Sequence, residues 1–137
     1  MDSSPIFSYS FIVPEDAIDE NGHVNNVAYV QWMQDAALRH PEAVNYKPPE
    51  TATWYAHEHR IEYLVPAFLG DELEVRTWIS GARRVRLRRK YEFIRKSDGK
   101  VTVRGETDWV YVEKKTGKPI AIPADSLELF PVVPDNI

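Results

Sequence analysis

A single stretch of this chain has a helical period and nearly everything after it has a strand period, which restricts the fold more than any other feature. Over residues 26–39, Val27, Val30, Met33, Ala37 and Leu38 recur at helical spacing, and Tyr29, Trp32 and Ala36 widen the apolar face. Asn25 or Asn26 supplies an N-cap and Pro41 a stop. The helix is apolar on well over half its circumference, so it is expected to be largely buried. Residues 6–13 alternate as a first strand closed by Pro14, and residues 41–52 read as a Pro-rich, mobile surface loop. Further strands are expected near 54–64, 72–80, 83–95, 101–113 and 126–132. Turns at Pro66 with Gly70-Asp71, Gly81, Asp98-Gly99 and Thr116-Gly117 separate them. One buried helix and five to six antiparallel strands, with no repeat, predict an α+β domain whose sheet curls around the helix. At 137 residues, the chain reads as a single domain, 1–137.

The net charge of −4 argues against whole-molecule attraction to nucleic acid or anionic membrane. An anionic ligand needs a local basic patch, and residues 83–90 carry one. The chain has no cysteine, which excludes disulfides, thiolate nucleophiles and cysteine-held metals and suits a reducing compartment. No export signal and no run near 20 apolar residues is visible, so the expectation is a cytoplasmic protein without membrane insertion.

The chemistry concentrates just before the helix. Asp19, Asn21 and His23 bring a carboxylate, a carboxamide and an imidazole together within five residues. A helix start presents free N–H groups and the positive end of a dipole, which polarise a carbonyl placed there. A carboxylate a few residues upstream faces that carbonyl as nucleophile or general base. The same pattern also reads as nothing more than a capped turn.

The run Asp19-x-Asn21-x-His23-Val24-Asn25-Asn26, with Tyr29 beyond it, resembles the signature loop of hotdog thioesterases of the 4-hydroxybenzoyl-CoA and plant acyl-ACP types. Glu62-Tyr63-x-x-Pro66 with Gly70-Asp71 resembles the family's second-strand motif, and Gly105-x-Thr107-x-Trp109-Val110 to Lys118-Pro119 its terminal hairpin. The resemblance spans about residues 6–130. It implies a hotdog fold and metal-free hydrolysis of acyl-CoA or acyl-carrier-protein thioesters. Coenzyme A enters as part of the substrate, and no separate cofactor is called for.

By the same resemblance Asp19 matches the catalytic aspartate, Asn21 and His23 the Asn and His of the plant-type site, and the Asn26 N–H the oxyanion donor. The plant-type cysteine is replaced by Ala67, which leaves Asp19 as nucleophile or base and Glu62 as a candidate assistant. The acyl chain is expected to run along the helix past Tyr29, Trp32 and Met33, in a cleft between subunits. A homodimer or homotetramer, joined sheet edge to sheet edge, is implied.

Val85, Leu87, Tyr91 and Phe93 alternate with Arg84, Arg86, Arg88 and Lys90. The basic face is either a solvated surface paired with Glu106 and Asp108, or, at Arg83, Arg84 and Arg86, a site for CoA phosphates. His57 and His59 have a spacing used for zinc, although strand histidines more often pack or face solvent, and no metal is expected. Two rival functions are a hydroxyacyl dehydratase, whose His-x-x-x-x-Pro-x-x-Pro motif is absent, and a non-catalytic acyl-CoA-binding hotdog module that keeps the cleft without needing Asp19.

Overall fold

The computed structural model describes residues 4–135. Five antiparallel strands, β1 (Phe7–Ile12), β2 (Ala52–Tyr63), β3 (Glu72–Arg83), β4 (Arg86–Arg95) and β5 (Val101–Glu113), form one open sheet in the order β1-β3-β4-β5-β2. The long helix α1 (Asn26–Ala43) crosses its concave face. This is the hotdog arrangement, with β1 and β2 as the two edges.

Each element has a local cause. The Asn25 side chain caps α1 by accepting from the Ala28 N–H at 2.7 Å. Pro41 does not stop the helix, which runs to Ala43. In the last turn its missing N–H costs only one ladder bond, the one the Ala37 carbonyl would have accepted. The strand expected at 126–132 is instead a short helix, α2 (Ala124–Glu128), started by Pro123. The sheet therefore has five strands.

Only a stripe of α1 is buried. Tyr29, Met33, Ala36 and His40 face the sheet, whereas Val27 is 76% and Leu38 65% exposed. The expectation of a helix buried on most sides thus fails for the single protomer. The first apolar cluster sits under the N-terminal half of α1 and includes Tyr29, Met33, Leu73, Val75, Tyr91, Phe93 and Val103. The second lies at the other end of the sheet around Ile79, Leu87, Tyr111, Ile122 and Phe130. Each large side chain so buried contributes about 1.5–3 kcal/mol.

Gly105 is where helix and sheet come closest. A Cβ added there would lie 2.8 Å from Met33 Sδ and 3.1 Å from its Cε. Met33 is itself fully buried and has little room to withdraw. Gly105→Ala is expected to lower stability by about 1–3 kcal/mol through overpacking, read as a fall in urea midpoint at unchanged m-value.

Candidate active site at the start of the central helix

The loop before α1 is held by backbone. Ile18 and Val24 form an antiparallel bridge, and the Asp19 N–H donates to the His23 carbonyl at 2.8 Å. Gly22 takes φ +79° to turn the chain, a conformation that costs glycine little. The loop is closed by Asn25 N–H to Ala17 O (2.8 Å) and tied to the connection between β2 and β3 by Val24 N–H to Ala67 O (2.9 Å).

Inside this turn Asp19 Oδ1 accepts from the backbone N–H groups of Asn21 (2.9 Å) and His23 (3.2 Å). Among the described residues its Oδ2 has no partner. The carboxylate is thus fixed at one oxygen and free at the other, and Asp19 is partly exposed. Asn21 and His23 were expected to orient the carboxylate or a water, and their backbone N–H groups both hold Asp19. The His23 ring turns onto Phe68 edge-on, with centroids 5.3 Å apart, and Asn21 is exposed without a side-chain bond.

Asn26 opens α1 and is exposed. With Ala28 N–H capped by Asn25, the N–H groups of Asn26 and Val27 have no protein acceptor among the described residues. These are the donors an oxyanion would meet.

Other expected site residues lie elsewhere in the protomer. Glu62 pairs across the ladder with Arg104, between Ile61, which packs on the core, and Tyr63, whose ring meets Tyr29. Strand alternation therefore puts Glu62 on the convex face, away from Asp19. Arg83, Arg84 and Arg86 form the exposed β3–β4 hairpin. β3 starts beside the Asp19 loop, so eleven steps along it, at about 3.3 Å each, leave the arginines roughly 36 Å away. Arg86 pairs with Asp108 at 3.2 Å, as the solvated-face reading expected. The expected acyl path is filled within one protomer: Met33 is fully buried, and the buried Tyr29 hydroxyl donates to Thr102 at 3.0 Å. His57 is exposed at the β2 bulge while His59 Nδ1 meets Thr107 Oγ1 at 2.9 Å, and no three potential ligands converge among the described residues.

A residue that the sequence reading passed over is Arg89, on the same inward parity as Leu87 and Tyr91. It is 4% exposed, and its Nη1 donates to His40 Nδ1 and Thr77 Oγ1, both at 3.0 Å. Because a guanidinium only donates, His40 must be neutral at Nδ1. Burial, and then the Arg89 charge, hold its pKa down at about 4. Burial also lowers that of Arg89, to about 10, so the side chain stays charged at neutral pH.

Comparison with known proteins is consistent with this geometry. The sequence matches the thioesterase-like superfamily over residues 12–130. The chain belongs to that superfamily. A 1,4-dihydroxy-2-naphthoyl-CoA thioesterase from Synechocystis superposes with TM-score 0.84 at 19% identity, covering 91% of this chain and 95% of that one. A Staphylococcus aureus protein solved in complex with CoA gives 0.83 at 20% identity, over 96% of this chain and 88% of that one. The 12:0-ACP thioesterase of Umbellularia californica gives 0.86 at 19% identity, and 98% of this superfamily member spans 53% of that chain. At these identities the superpositions establish the hotdog fold alone. No curated protein sequence matches significantly. Among the described residues no helix is long and apolar enough to cross a membrane.

Proposed function

We propose that this superfamily member hydrolyses acyl thioesters of coenzyme A or an acyl-carrier protein at the Asp19 loop. The carrying observation is a carboxylate held at one oxygen beside a helix start with two unengaged N–H groups. The thioester carbonyl oxygen would accept from the Asn26 N–H. The free Asp19 oxygen would either attack the carbonyl carbon, expelling thiolate and leaving an anhydride for water to open, or take the proton of an attacking water. CoA or the carrier arm is part of the substrate, and the scheme calls for no separate cofactor. The CoA-bound neighbour and the naphthoyl-CoA thioesterase favour a CoA ester.

The proposed working unit is a homodimer joined through β2, whose outer edge has no partner strand among the described residues and is flanked by exposed Val27, Leu38, Tyr55 and Tyr63. An antiparallel β2–β2 junction would set the Ala52 end of one strand beside the Tyr63 end of the other. That would carry the arginine hairpin of one protomer towards the Asp19 loop of its partner, where it could meet CoA phosphates.

Release of free thiol from short, medium, long and aromatic acyl-CoAs tests the reading, alongside sedimentation. Turnover by a dimer or tetramer is expected. Binding of acyl-CoA without thiol release would replace hydrolysis by the binding-module reading.

A further inference from the structure

A cleft of about 530 Å³ opens between the second half of α1 and the sheet, at the opposite end from Asp19. Ala37, on its lining, lies eleven residues after Asn26, or about 16 Å along the helix. The walls are apolar, with Leu38, Trp54, Ile79, Leu87 and Phe130 prominent. Among the described residues Arg89 is the one basic residue on the lining.

Only Nη1 of this guanidinium is engaged among the described residues, by His40 and Thr77. Nε and Nη2 carry three N–H groups without an acceptor. No carboxylate pairs with it either: Glu42, also on the lining, is exposed and makes no ion pair. Trp109 Nε1, from the same wall, is buried with no hydrogen-bond partner among the described residues.

A buried cation with no counter-charge is costly, and an apolar side chain would fill the site at lower free energy. The cost falls when an anion arrives. The free Nε–Nη2 edge presents two parallel N–H groups, the geometry that matches a carboxylate. A phosphate dianion would bring more charge than one arginine offsets, and no second cation lines the cleft.

We propose that the cleft binds an apolar carboxylic acid, with its carboxylate on the Nε–Nη2 edge of Arg89 and its body between α1 and Trp54. Two sources share this chemistry. One is a free acid. The other is the far carboxylate of an ω-carboxyacyl thioester, which rests on the proposed hydrolysis as the first does not.

Calorimetric titration of the full chain with decanoate and with decanamide tests the cleft without any turnover. Decanoate is expected to bind about tenfold tighter than the amide, or more, since hydrogen bonds to charged groups are the strong ones. Arg89→Met should abolish that preference, and its thermal midpoint should not fall, because an unpaired buried charge has been removed. Ala37→Phe fills the cleft but keeps the cation, and should weaken both ligands. Amide and acid binding equally well to wild type, or unchanged decanoate binding by Ala37→Phe, would overturn the proposal. The source is read on Asp19→Asn, where a thioester persists. Tighter binding of 9-carboxynonanoyl-CoA than of decanoyl-CoA assigns the substrate's far carboxylate, and equal binding of the two assigns the free acid.

Discussion

Asp19→Asn is expected to lower kcat for thioester hydrolysis by about a thousandfold while leaving the fold and KM close to wild type. The substitution separates charge from architecture. Asn keeps an Oδ1 that accepts from the N–H groups of Asn21 and His23, so the turn survives. What disappears is the negative charge and lone-pair basicity at the free oxygen, which both the nucleophilic and the general-base routes require. Asp19→Ala would confuse the two effects by also leaving two backbone donors unsatisfied. Thiol release, paired with a thermal melt, checks the expectation. Turnover within tenfold of wild type would reduce Asp19 to a turn residue and return the loop to its capped-turn reading.

Much of the fold was legible because periodicity and burial agree. The helix over residues 26–39 and four of the later strands follow from it within a few residues. The misreadings have particular causes. A strand was expected at 126–132, but short apolar runs carry no clear period, and Pro123 with Asp125 is the better signal, that of a helix start. Pro41 was read as a stop, though in a final turn it forfeits one hydrogen bond only.

At the site, sequence order pointed to Asp19 and the helix start, but not to which atoms hold the carboxylate, since backbone N–H groups have no residue identity. Parity alone puts Glu62 on the face opposite Ile61, which packs on the core. The same rule, applied to Leu87 and Tyr91, puts Arg89 inside. The reading assigned Arg84, Arg86, Arg88 and Lys90 to the basic face and left Arg89 unplaced, and only the fold sets that side chain against His40.

That pair makes the protein's stability depend on acid. His40 is 3% exposed, stacks on Phe7 of β1 with ring centroids 5.2 Å apart, meets Phe130 edge-on, and faces Arg89 of β4. Among the described residues no carboxylate is paired with it. Protonation would remove the acceptor for Arg89 and set two buried cations in contact, hence a folded pKa of about 4 against about 6.5 unfolded. Between those values the unfolded chain binds a proton that the folded chain refuses, so stability falls as pH drops from about 6.5 to about 4. The slope approaches 1.4 kcal/mol per pH unit, and the total reaches about 3 kcal/mol at most. His40→Gln keeps an acceptor for Arg89 but cannot titrate. It should start less stable at neutral pH, having lost the stack on Phe7, and lose less on acidification. Urea unfolding at half-unit steps from pH 7 to 4.5, with wild type and variant compared, isolates this term from the exposed carboxylates that both share. Parallel curves would place the acid sensitivity elsewhere; converging ones assign it to the buried imidazole.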